Sequence, residues 1–131
     1  EETVAIMKSI LNKEEIVEET LSKTQFSIIE DLNSANLKWL LDKGANPNYV
    51  RKTSSGRDKD TPLIFLFSQI GIEGESFTKL ADMFNILISQ EDIDVNLEVK
   101  HQTPLKKAKR RAKLNAEYQP LVDKLVSLGA R

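Results

Sequence analysis

Cysteine is absent from the 131 residues. That excludes disulfides, thiolate metal sites and cysteine nucleophiles, and accords with the cytoplasm or another reducing compartment. Histidine occurs once, as His101, two residues before Thr103. Acid–base chemistry needs such a group to have an oriented partner, so a lone histidine there reads as a turn residue. There is no glycine-rich phosphate loop, no nucleophile elbow and no His/Cys/carboxylate spacing suited to a metal. Glu73 and Glu75 flank Gly74 in what reads as a polar loop. No apolar run is long enough to cross a bilayer, and no basic-then-apolar leader opens the chain. The first residues are Glu1-Glu2 rather than Met, as expected of a piece of something longer. A non-catalytic protein with no cofactor and no metal is the expectation.

Net charge is also close to zero, at −1, but the charged residues are unevenly spread. Residues 1–34 hold eight Asp/Glu against three Lys, and residues 97–131 hold nine Lys/Arg against three Asp/Glu. The two ends of the molecule should therefore attract different partners. At 131 residues, 30% charged and 40% hydrophobic, the composition is that of a single globular domain.

The opening third reads as helices. Val4, Met7, Ile10 and Leu11 form one apolar stripe, with a break at Asn12-Lys13. Ile16, Val17 and Leu21 form a second, beside Glu14, Glu15, Glu18 and Glu19. The acidic cluster fits a solvated helix N-terminus, where the backbone dipole favours negative charge, better than a docking face. Phe26, Ile28, Ile29 and Leu32 form a third stripe, ahead of a loop and N-cap at Asn33-Ser34.

The specific signal lies further on. Thr61-Pro62-Leu63 returns as Thr103-Pro104-Leu105. In each, a threonine hydroxyl can cap a helix start, proline occupies the first helical position and leucine points inward. Second helices follow, with apolar pairs at Met83/Phe84 and Leu87/Ile88, and at Leu121/Val122 and Leu125/Val126; upstream, Leu37 precedes Leu40/Leu41. Gly44 and Gly129 read as helix stops in the left-handed conformation. Asn46-Pro47-Asn48 and Asp92–Asn96 then turn the chain out.

The doubled Thr-Pro-Leu, the Leu-Leu-x-x-Gly-Ala-x-Pro-Asn ending at Leu40–Asn48 and Asp-Val-Asn at Asp94–Asn96 make residues 24–131 resemble the ankyrin repeat family. The resemblance implies an all-α fold, an ankyrin-type helix-turn-helix repeat solenoid with an N-terminal helical cap. The expected divisions of this single domain are a cap at 1–23 and a degenerate repeat at 24–48. A repeat with a lengthened turn and an insertion spans 49–96, and a terminal repeat spans 97–131. The departures are specific. Ile64 and Lys106 stand where the family has His, and Leu66-Phe67 and Ala108-Lys109 where it has a small pair. Thr61 and Asn96 are 35 residues apart, against about 25 in the family, which places an insertion at Ser68–Ser76. The turn from Asn48 to Thr61 is also lengthened, by about five residues.

Family members hold other proteins with their turn tips and with exposed positions late in each first helix. By register, the resemblance implies Asp58, Asp60, Ser68 and Gln69 in one repeat and Lys100, Gln102, Arg110 and Arg111 in the next. The lengthened turn, with Ser54-Ser55-Gly56 at its tip, adds Tyr49, Arg51 and Arg57. The expected partner is another protein, bound by a monomer. The alternative is a polyanion, nucleic acid or acidic lipid, held by the basic helix 106–113 with Lys106, Lys107, Lys109, Arg110, Arg111 and Lys113. The near-neutral chain and the lack of interleaved aromatics weigh against it, in favour of an acidic protein surface or plain solvation for the basic run. Trp39 reads as outward-facing, an interface anchor or a cover for an N-terminal helix.

Overall fold

The computed structural model of the chain describes residues 14–131, with side chains from residue 17 onward. The first apolar stripe and the break at Asn12-Lys13 lie outside those residues. Helix α1, Glu14–Glu30, is uninterrupted. Leu21, Ser22, Gln25, Phe26 and Ile29 are buried at helical spacing, with no glycine or proline between them, so the second and third stripes share one helix. The expected boundary at 23/24 falls inside it.

Asn33 caps α2, Ser34–Asp42, by accepting from the Asn36 N–H. Leu37, Leu40 and Leu41 are its buried face. Gly44 closes the helix at φ +110: its N–H bonds the Leu41 carbonyl and the Ala45 N–H bonds Leu40. This Schellman arrangement satisfies carbonyls a helix end would otherwise leave open.

The lengthened turn is a β-hairpin rather than a plain loop. Strands β1, Arg51–Lys52, and β2, Asp58–Asp60, pair antiparallel around the expected tip. The Thr53 N–H reaches the Arg57 carbonyl and the Gly56 N–H returns to Thr53, the pattern of a three-residue hairpin loop.

Thr61 then caps α3, Pro62–Leu66, and Thr103 caps α5, Pro104–Leu114, through the same bond to the N–H three residues on. The two threonines share φ −122, with ψ 170 and 162. Helix α3 is less than half as long as α5. Leu66 and Phe67, standing where a small pair was expected, are fully buried, with Phe67 5.6 Å from Phe84 and 6.3 Å from Tyr118. The expected insertion is divided. Residues 67–74 form the loop, while Glu75 and Ser76 already belong to α4, Glu75–Ile88, five residues longer than α2.

After α5, Ala116–Tyr118 makes a short 3-10 turn into α6, Gln119–Ser127, and Gly129 closes α6 as Gly44 closes α2. Helices α1, α3 and α5 pack in sequence along one side; α2 packs on α1 and on α4, α4 on α3, and α6 on α5. One core, including Leu21, Leu37, Leu66, Phe84, Leu105 and Leu125, runs through all of them. Each such aliphatic contributes about 1.5–3 kcal/mol of burial. The described residues are thus mostly helical, with one small two-stranded sheet.

Asparagines tie successive turns together. Asn48 donates from Nδ2 to the Asp92 carbonyl and accepts from the Asp94 N–H. Asn96 does the same with the Gly129 carbonyl and the Arg131 N–H. Upstream, the Ser22 hydroxyl accepts from the Asn46 N–H, and Gln25 donates to its carbonyl.

Candidate functional site

Two turns project beside each other ahead of α3 and α5. The first is the 51–60 hairpin. The second is a tight turn in which Val99 and Gln102 exchange both backbone hydrogen bonds at 2.9 Å. Its central residues Lys100 and His101 lie at φ +54 and +65, the left-handed pair that a type I′ turn requires. His101 is exposed, its Nδ1 3.6 Å from Glu98.

A cavity of about 310 Å³ opens between these turns and the two capped helices. Its walls carry Arg51, Lys59, Asp60, Lys100, Gln102 and Lys107, and Ile64, Phe65 and Val99 supply its apolar surface. Ser68 completes the far edge.

Several residues expected to meet a partner instead bind the protein itself. Asp60 is buried and takes two hydrogen bonds from Arg51, at 2.9 and 2.8 Å. The Arg51 guanidinium lies 4.2 Å from the Phe26 ring centre and 4.7 Å from that of Phe65. Both residues line the cavity as parts of its wall, because a buried carboxylate needs its cation. Gln69 donates to the Ile29 carbonyl at 3.0 Å, and Arg111 to the Phe67 carbonyl at 2.8 Å. Ser68 donates to the Ile64 carbonyl. Tyr49 packs edge-on to Phe26, half-buried. Asp58 is exposed and pairs with Lys52. Arg57, Lys100 and Arg110 are exposed, and Gln102 is half-buried.

The cavity also brings in Lys59, which was not among the expected binding residues, and Lys107, which was expected only as part of the basic helix of the polyanion alternative. Lys107 stands four residues after Thr103, the register that Phe65 holds after Thr61, so aligning the two repeats could have exposed the exchange of a ring for a cation. Partial burial, then the nearby Arg110 and Arg111, hold its ammonium below the ordinary lysine range, with Asp60 opposing.

The basic helix is not a uniform patch. Arg111 is turned to Phe67 and Ser68, Lys106 donates to the His101 carbonyl, and Lys107 faces the cavity. Lys109, Arg110 and Lys113 are left exposed. Trp39 is half-buried against the core, with the Lys43 ammonium 5.6 Å from its ring centre.

Among the described residues no group of three or more His, Asp or Glu is placed to hold a metal, and no helix is long and apolar enough to cross a membrane. No family model, curated protein or solved structure matches the chain.

Proposed function

We propose that this chain is an ankyrin-type array of helix-turn-helix repeats and acts as a non-catalytic module that binds another protein. The fold part of this reading is supported by contacts that recur in register. The Thr61 and Thr103 caps, the Gly44 and Gly129 closures and the Asn48 and Asn96 bridges each repeat one geometry.

The observation that carries the binding reading is the cavity between the two turns. It sets lysines around an apolar surface of Ile64, Phe65 and Val99, the layout of an apolar patch within a polar rim. Polyanion binding by the basic helix is the competing reading. It is disfavoured because Arg111 and Lys106 are engaged within the molecule.

The test is affinity capture from lysate of the source cell, with and without nuclease, read by mass spectrometry. The chain is compared with a folded variant in which Lys59→Trp and Lys107→Trp fill the cavity. A protein retained after nuclease by the first and lost by the second supports the reading. Equal retention by both, or capture of only RNA or DNA before nuclease, overturns it.

A further inference from the structure

We propose that the cavity between the two turns receives an acidic segment of the partner protein. A side-chain carboxylate would be engaged by Lys59, Lys100 and Lys107, and an adjacent peptide N–H by the Gln102 side-chain carbonyl. This deepens the protein-binding reading and rests on it.

The charge on the cavity wall sets the sign of the occupant. The wall carries Arg51, Lys59, Lys100 and Lys107 against Asp60 alone. Asp60 is matched to Arg51 through two hydrogen bonds. None of the three lysines makes a salt bridge among the described residues. Three like charges around one concavity repel one another, and a bound anion relieves that repulsion. Partial burial first, then Arg110 and Arg111 from its own helix, hold the Lys107 ammonium below the ordinary lysine range, with Asp60 opposing.

Gln102 specifies more than charge. It precedes Thr103 as Asp60 precedes Thr61. Asp60 has its donor in Arg51, supplied by the facing strand. The shorter 99–102 turn supplies no such donor, and the Gln102 Oε1 atom is buried without a hydrogen-bond partner among the described residues. An unpartnered buried acceptor forfeits the hydration it had in the unfolded chain. Rotation of the terminal amide towards a donor in the cavity removes that cost. The occupant must therefore present a donor next to an anion. A peptide carrying Asp or Glu does so, through its backbone N–H and its carboxylate. A DNA phosphodiester backbone offers acceptors only, and RNA adds only the 2′-hydroxyl as a backbone donor. The guanidinium fork that would best clasp a phosphate is already closed on Asp60. Ile64, Phe65 and Val99 then meet the aliphatic stem of the acidic residue or an apolar neighbour.

The experiment is selection of phage-displayed random dodecapeptides on the intact chain, followed by titration of synthetic versions of the enriched peptides. Enrichment of peptides bearing Asp or Glu is expected. Lys107→Met and Lys100→Glu should each weaken their binding about tenfold or more. Replacing the peptide's acidic residue by its amide should cost a similar factor against the unaltered chain and little against Lys107→Met. Lys79→Met, an equal change of charge on the distant α4, should leave the affinity unchanged, and circular dichroism verifies that each variant is folded. Enriched peptides without acidic residues, or peptides that bind both lysine variants undiminished, overturn the acidic-segment proposal while leaving protein binding intact. If no peptide is enriched and oligothymidylate binds instead, both readings fall.

Discussion

Gln69 and Arg111 each stand eight residues beyond their capping threonines, and each donates to a carbonyl at the end of the preceding first-row helix. Gln69 reaches Ile29 at 3.0 Å, and Arg111 reaches Phe67 at 2.8 Å and Ser68 at 3.4 Å. A helix end leaves its last carbonyls without intrahelical partners. Side chains from the next layer supply them here, tying adjacent layers. Arg111→Ala should therefore destabilise the fold by about 1.5–3 kcal/mol, the value of a charged hydrogen bond, and Gln69→Ala by about 1 kcal/mol. Urea denaturation of the two variants measures both. Midpoints unchanged from the parent would show that the contacts are ornamental.

Arg51 and Asp60 should behave as one unit. Only 9% of the Asp60 side chain and 24% of the Arg51 side chain are exposed. Removing Arg51 alone leaves a nearly buried carboxylate without its cation, and removing Asp60 alone leaves a guanidinium against two rings. Because Arg51 keeps some contact with water, we expect about 2 kcal/mol for Arg51→Ala, below the full buried-pair value. In a double-mutant cycle the Arg51→Ala/Asp60→Ala protein should lose clearly less than the two single losses added together. Simple additivity would rule the coupling out.

The turn at Lys100-His101 holds two non-glycine residues at positive φ, each costing of order 1 kcal/mol or more. Replacing the pair by Asn-Gly, the sequence this turn prefers, should raise stability by about 1–2 kcal/mol. The same change removes one of the cavity's three free lysines. Acidic-peptide affinity should fall as the melting temperature rises, and calorimetry with peptide titration on one sample measures both.

Tyr118 is buried beside Phe67 and Phe77. Burial, and secondarily Glu117, raise its hydroxyl above the ordinary tyrosine range, with Arg111 pulling the other way. The folded value exceeds the unfolded one, so this stability is complete below about pH 10 and is lost as pH rises from there through the folded value. Lys107 carries the opposite sign: its folded value is depressed, so its burden on folding is present at neutral pH and eases as the ammonium deprotonates. Denaturant midpoints measured on either side of pH 10 should fall less steeply for Tyr118→Phe than for the parent. Lys107→Met should be slightly more stable than the parent at neutral pH.

Much of the local structure was legible because it depends on neighbours in sequence. A threonine three residues ahead of the N–H it caps, a proline that tolerates the first helical turn, and a glycine that accepts φ +110 or +93 need only the residues beside them. The buried faces of α2 and α4 followed from helical spacing for the same reason. Val126 shows where that reading stops. It holds the same place before Gly129 that Leu41 holds before Gly44, yet it is 52% exposed and Leu41 only 6%, since α4 covers the second and no described helix covers the first. The 51–60 hairpin and the short α3 were missed because strand pairing and the seating of Phe67 against Phe84 are contacts between residues distant in sequence.

The candidate site divides along the same line. Which turns project and where their helices begin could be read from neighbouring residues alone, because caps and turns are local backbone chemistry. Which polar side chains stay unengaged depends instead on long-range packing. Asp60, Gln69 and Arg111 satisfy groups that folding buries, and that demand exists only once another layer is in place. Lys59, Lys100, Lys107 and Gln102 converge on one cavity for the same physical reason: their distances are set by how α3 and α5 pack.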